Sequence, residues 1–178
     1  MSELNKTEKV DFEKTLGYIF QQAIICERKN RNLYVQFSKM FAHIPEISSF
    51  WIELAKDEEL HARALEDIQS SLENEQFSRN ADEELLTSIK CISSYSDAIS
   101  FDQIKTLDDA YELAHDIESS EINNVFKILT SEFISEQTRK KAIYSELKYH
   151  VDKLMDFNKT FGDKTWRKGI TSKQLVTT

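Results

Sequence analysis

Glu58 and His61 stand three residues apart inside a row that is otherwise apolar. Taken at helical steps of three and four, the row reads Ile47, Trp51, Leu54, Glu58, His61, Leu65, Ile68, Leu72. Both ionisable residues therefore point where a core belongs. A carboxylate in that position is protonated, paired or bound to a cation, because an isolated buried charge is too costly. A Glu and a His three apart on one helix face can hold a single metal ion between them. A metal site is thus the first chemistry the chain suggests.

Other ionisable residues interrupt similar rows. Glu27 falls in Phe20, Ala23, Glu27, Asn30, Tyr34, Phe37, Phe41. Glu118 and Glu121 fall in Tyr111, Ala114, Glu118, Glu121, Val125, Ile128. His150 falls in Ile143, Leu147, His150, Leu154, Phe157. These rows predict four long helices, over about Asp11–Phe41, Glu46–Leu72, Leu107–Ser131 and Ser135–Phe157, each too long and too regular for a strand. Pro45 marks the break between the first two, since proline is tolerated at a helix start and not inside. Short connections make the first pair and the last pair antiparallel neighbours. The intervening stretch, Glu73 to Thr106, is long enough to cross such a bundle. Asn80 or Asp82 caps a further helix there, about Glu83–Ile99, whose Leu85, Leu86, Ile89, Ile92 and Ile99 pack on the outside.

The two halves echo one another. Ala23-x3-Glu27 matches Ala114-x3-Glu118, and the Glu-to-His separations are 34 and 32 residues. The expectation is an all-α bundle over residues 1–161 with internal two-fold symmetry, its metals on the axis, and a C-terminal tail at 162–178. Carboxylates and imidazoles without thiolates suit iron or manganese and argue against a structural zinc site.

Bulk composition agrees. The 178 residues are enough for one domain with a substantial core, and 3 Gly and 1 Pro favour long helices over many turns. A net charge of −8, from 31 acids against 23 bases, argues against nucleic-acid binding, although most such acids simply solvate a surface. Cys26 and Cys91 form no CxxC and read as reduced, buried thiols. The polar N-terminus and the lack of a long apolar run predict neither a signal peptide nor a membrane span, hence a cytoplasmic location.

On these residues the chain resembles the ferritin-like di-iron carboxylate superfamily, in its rubrerythrin-like branch, over roughly Leu16 to Phe157. That resemblance implies a four-helix bundle with a long crossover containing an additional helix. It implies a pair of iron ions, with manganese or a mixed pair as variants. Glu27 and Glu118 would be the lone helix carboxylates, Glu58 and His61 the first Glu-x-x-His, Glu121 the extra third-helix ligand, and His150 the second histidine. The implied activity is a non-haem di-iron oxidoreductase reducing hydrogen peroxide or dioxygen. The chain lacks the two CxxC pairs of a rubredoxin domain, so a separate electron donor is expected. Pairing of two copies through outer faces follows by the same analogy. Ferroxidase or iron-handling activity, and a degenerate binding module with an incomplete metal site, are the alternatives.

One position departs from the family pattern. Leu147, not Glu, lies three before His150, and the nearest carboxylate is Glu146, four before. On an α-helix these positions lie about 60° and about 40° to opposite sides of His150. A one-residue π-bulge would bring Glu146 into register as a ligand, and the expectation leans to it because bulges concentrate at functional sites. Elsewhere, Glu59 and His43 read as surface residues, and His115, off the row, as a surface residue or a support behind the ligands. Tyr34 and Tyr111 read as core aromatics, with a hydrogen bond to a ligand carboxylate as the alternative.

Overall fold

The computed structural model describes residues 11–134 and 137–162, excepting the side chains of 121–123, 137–140, 142–144 and 146–148. The described chain is all-helical. Its main elements are α1 (Leu16–Met40), α2 (Pro45–Ser71), α3 (Asn74–Ser78), α4 (Glu83–Ala98), α5 (Leu107–Glu118), α6 (Glu121–Phe133) and α7 (Gln137–Thr160). The expected tail, from residue 163 onward, lies outside the described residues. No described helix is long and apolar enough to cross a membrane.

The helix starts have local causes. Thr15 is extended (φ −93°, ψ 159°), and its hydroxyl accepts from the Tyr18 amide at 3.2 Å. It ends a 3-10 turn at Phe12–Lys14, so α1 begins later than the apolar row predicts. The same segment is pinned to a distant one, with Leu16 N–H donating to Arg79 O at 2.9 Å and Ala81 N–H to Lys14 O at 2.8 Å. Pro45 opens α2, where a missing amide hydrogen costs nothing. Asp82 caps α4 by accepting from Glu84 and Leu85, and the Thr106–Asp109 capping box opens α5. The short α3 was not foreseen. It sets the Phe77 ring against Gly17, where an added Cβ would lie 2.4 Å from a ring carbon.

α1 and α2 form the most extensive helix pair. α4 lies across α1 and α6, α7 packs on α5 and α6, and α6 also touches α1 and α2. The expected third helix is two helices. α5 stops at Glu118, Ser119 N–H closes onto His115 O and Ser120 N–H onto Ile117 O, and α6 restarts at Glu121. Serine competes for backbone hydrogen bonds and is a weak helix former, so two in succession are a natural break. The break resets the register. α6 buries Val125, Phe126 and Leu129, while Ile128, expected inside, is 47% exposed. α7 is α-helical from Gln137 to Thr160, so the π-bulge expected before His150 is not formed. Cys26 is buried as expected, but Cys91 lies exposed on α4.

Two apolar clusters make the core. One joins Leu16, Phe20 and Ile24 to Leu65, Ile68, Leu86, Ile89, Phe126 and Leu129. The other joins Tyr34, Phe37 and Phe41 to Trp51, Leu54, Leu107, Ala114, Leu154 and Phe157. Along α1 and α2 the polar residues Glu27, Asn30, Glu58 and His61 occupy the interval between them.

Candidate metal centre

The residues in that interval are buried despite their charge. Glu27, Glu58, His61, Glu118 and His150 are each no more than 5% exposed. They arrive from α1, α2, α5 and α7, as the rows predict. The His61 and His150 rings lie 4.8 Å apart, centroid to centroid. His61 Nδ1 is 3.7 Å from Glu27 Oε2. His150 Nδ1 is 3.8 Å from Glu58 Oε1 and 3.7 Å from Glu118 Oε2. These separations are too long for hydrogen bonds, and His150 Nδ1 is a buried atom with no hydrogen-bond partner among the described residues.

One ligating atom each of Glu58, His61 and His150 falls within a 4.8 Å span. Ligands on opposite sides of an ion with bonds of about 2.0–2.2 Å lie roughly 4.0–4.4 Å apart. The trio therefore needs to close by only a few tenths of an ångström to share a cation. Its two imidazoles and neighbouring carboxylates are a donor set for iron, manganese or zinc.

The other face of His150 is occupied. Its Nε2 lies 3.2 Å from Asp57 Oδ2, and the same oxygen accepts from Lys153 Nζ at 2.7 Å. Metal-binding histidines usually donate their second ring N–H to a carboxylate in this way, which fixes ring orientation. Sequence reading missed Asp57. It stands one step off the apolar row and is only half-buried, so its sole signal is its place beside Glu58. Lys153 is held in turn over the Tyr149 ring, 4.6 Å from the centroid.

Electrostatics follow from the burial. Glu27 is pushed up to about 7, first by burial and then by the Glu118 charge, against a hydrogen bond shared with Glu58. Glu58 is raised well above the ordinary carboxylate range by burial and by Glu118 and Glu27. Both shifts favour a protonated carboxyl in this pair. For His150, burial acts to lower the value, but Asp57, Glu118 and Glu58 outweigh it and lift the imidazole to about 10. Asp57 ends lowered, because its bonds to His150 and Lys153 outweigh its partial burial. Without a metal the layer holds protons where a cation would sit.

Of the seven expected ligands, Glu27, Glu58, His61, Glu118 and His150 come together. Glu121 is the first residue of α6 and Glu146 lies within α7, but both side chains lie outside the described residues. Tyr34 is more than core packing. Its O–H donates to Glu118 Oε1 at 2.8 Å, and burial followed by the Glu118 and Glu58 charges raises its own ionisation well above the ordinary value. Tyr111 packs on Phe157 with ring centroids 6.2 Å apart. His43 and His115 are exposed, and the half-buried Glu59 pairs with Arg31 and Arg63. No family model, curated protein or solved structure matches the chain.

Proposed function

We propose that this chain is a ferritin-like four-helix bundle of the rubrerythrin type, with α4 carried on its crossover, and that its buried layer holds a pair of iron ions to reduce hydrogen peroxide or dioxygen. The observation that carries this reading is the His150 ring. One nitrogen is anchored on Asp57, while the other is buried, without a hydrogen-bond partner among the described residues, and directed between two carboxylates. A structural histidine would satisfy both nitrogens.

Glu27, Glu58, His61, Glu118 and His150 would hold the metals, with Glu121 as a further ligand by the family pattern; α7 runs without a π-bulge, so Glu146 stays out of register with His150 and is not among them. When bound, an iron pair supplies the two electrons that cleave an O–O bond, and manganese is the substitute the donor set allows. The protein's part is to hold charge and protons. Glu58 and Glu27 give up bound protons as cations bind. Asp57 and Lys153 keep the His150 ring in place. Tyr34 holds Glu118 by one oxygen, leaving Oε2 directed at His150. The two apolar clusters keep bulk water from either side of the layer. Reducing equivalents come from a separate donor, and pairing of two copies remains part of the same family-based reading.

Two other readings use the same residues. Ferroxidase or iron-handling activity needs the same ligands. A metal-free binding module is favoured by the burial and neighbouring charges that hold Glu27, Glu58 and His150 toward their protonated forms, which lets the layer neutralise itself. Metal analysis of protein purified from iron-supplied cells separates these readings. Two irons per chain with a ferric absorption band are expected, and metal-free protein that takes up no iron on reconstitution overturns the proposal.

A further inference from the structure

Along the bundle axis the buried layer is closed by the two apolar clusters, where a divalent cation would give up its hydration for nothing. On one flank the extensive packing of α1 on α2 closes it again. The seam between α2 and α7 differs, because these two backbones approach less closely and side chains fill the gap. Toward one end the filling is apolar, with the Phe50 and Phe157 rings stacked 4.1 Å apart, centroid to centroid. Beside the layer it is charged. Lys153 Nζ donates to Asp57 Oδ2 at 2.7 Å, lies 4.0 Å from Glu53 Oε2, and sits 4.6 Å from the centroid of the Tyr149 ring. Two carboxylates and an aromatic face thus hold one ammonium. These groups form a line from solvent to the layer. Side-chain exposure falls from 61% at Glu53 through 23% at Asp57 and 14% at Lys153 to 2% at His150. The His150 ring completes the line, with Nε2 3.2 Å from Asp57 and Nδ1 3.8 Å from Glu58 and 3.7 Å from Glu118.

We propose that Glu53 and Asp57 are the port through which divalent cations reach the buried layer, and that the Lys153 ammonium is its tethered stopper. The inference rests on the function proposed above and names how that site is loaded. A position that holds an ammonium between carboxylates suits a hard divalent cation, whose preferred ligands are carboxylate oxygens. The two cannot share it, because like charges at that spacing repel. Lys153 must therefore leave Asp57 before a cation enters. Its flexible four-carbon stem allows this without movement of the α7 backbone. From Asp57 the next ligand inward is His150, whose ring spans the interval to Glu58 and Glu118. With the layer filled, Lys153 returns to Asp57 and slows the loss of metal. A stopper of this kind acts on loading and release together and leaves the final metal content unchanged.

The test mixes metal-free protein with cobalt(II) in a stopped-flow instrument and follows cobalt absorption as the layer fills. Lys153→Met, which keeps the stem and removes the charge, should load about tenfold faster than wild type with the same cobalt stoichiometry. Lys153→Arg, which keeps the charge at Asp57, should load as slowly as wild type. Glu53→Gln should load about threefold more slowly, because it removes a charge that attracts the cation at the mouth. Lys29→Met is the control for net charge. Lys29 pairs with Asp97 of α4, away from the port, and its loss should leave the rate within about twofold of wild type. Wild-type protein that takes up no cobalt overturns the proposed function and this inference with it. Normal uptake at an unchanged rate in Lys153→Met overturns the inference alone, as does an equal acceleration in Lys29→Met.

Discussion

Glu27 lies well inside α1, which continues for thirteen residues to Met40, whereas Glu118 is the last residue of α5. The two occupy matching places in the sequence echo between halves, yet their surroundings differ. The interior of α1 gives Glu27 no net helix-end field, and burial raises it, like Glu58, toward its protonated form. Glu118 sits at the negative end of α5, which disfavours a carboxylate there. The second half offsets this with the Tyr34 hydroxyl and with His150, whose far nitrogen is anchored to Asp57 and through it to Lys153. A helix break thus need not undo a site if neighbouring helices supply the lost order. The first half is held by continuous helices, and the second by hydrogen bonds.

Glu58 serves both halves, so its loss is the largest effect expected. Glu58→Ala should abolish metal uptake and peroxide-dependent oxidation while leaving a helical protein, because the apolar clusters on either side of the layer stay intact. Metal analysis and circular dichroism check this, and wild-type activity in a metal-loaded Glu58→Ala protein contradicts the role.

The protons in the layer predict a pH dependence for the metal-free protein. Glu27, lifted from 4.5 to about 7, contributes stability that is complete at low pH and lost as pH rises through about 7. His150, lifted from 6.5 to about 10, contributes stability that is complete below 6.5 and lost as pH rises through about 10. Asp57, being lowered, acts oppositely, and its contribution fades only as pH falls through its depressed value. The Tm in the presence of chelator should therefore fall from about pH 5 to about pH 9, and bound metal should reverse the slope by displacing those protons. A metal-free Tm that climbs over this range would show that the layer does not hold its protons.

Asp57→Asn tests the second half selectively. It should weaken metal binding by roughly 10–100-fold through misorientation of His150, while Lys153→Met, which leaves the carboxylate on the ring, should cost less. Titration calorimetry that shows equal affinity for wild type and Asp57→Asn would reduce Asp57 to a surface ion pair. The smallest effect belongs to Tyr34→Phe. It removes one hydrogen bond to a buried carboxylate, worth about 1.5–3 kcal/mol, while keeping the ring against Trp51. Denaturant unfolding of the metal-free protein measures it. No loss of stability would mean that Glu118 is held by its other neighbours.

Much of this was readable in advance. Apolar rows located α1, α2 and α7, and Asp82 placed the start of α4, because periodic burial and capping are local signals. Glu27, Glu58, His61, Glu118 and His150 showed themselves as ionisable residues where apolar ones were due. The Ser119–Ser120 break was overlooked because the spacing of three and four runs through it. The Thr15 break was overlooked because it depends on pairing with Arg79 and Ala81, far along the chain. The π-bulge was inferred from a symmetry between halves that the backbone of α7 does not follow.

The sequence by itself determined that the protein is helical, where most helices begin, and which charged residues must be buried together. Those properties depend on side-chain period and local backbone chemistry, which need no knowledge of the partner surface. The tertiary structure decided what those residues face. Asp57 met His150 across 93 positions, Tyr34 met Glu118 across 84, and Lys153 met Asp57 across 96. Such pairings depend on how whole helices rotate and cross when they pack, and no local pattern encodes that rotation.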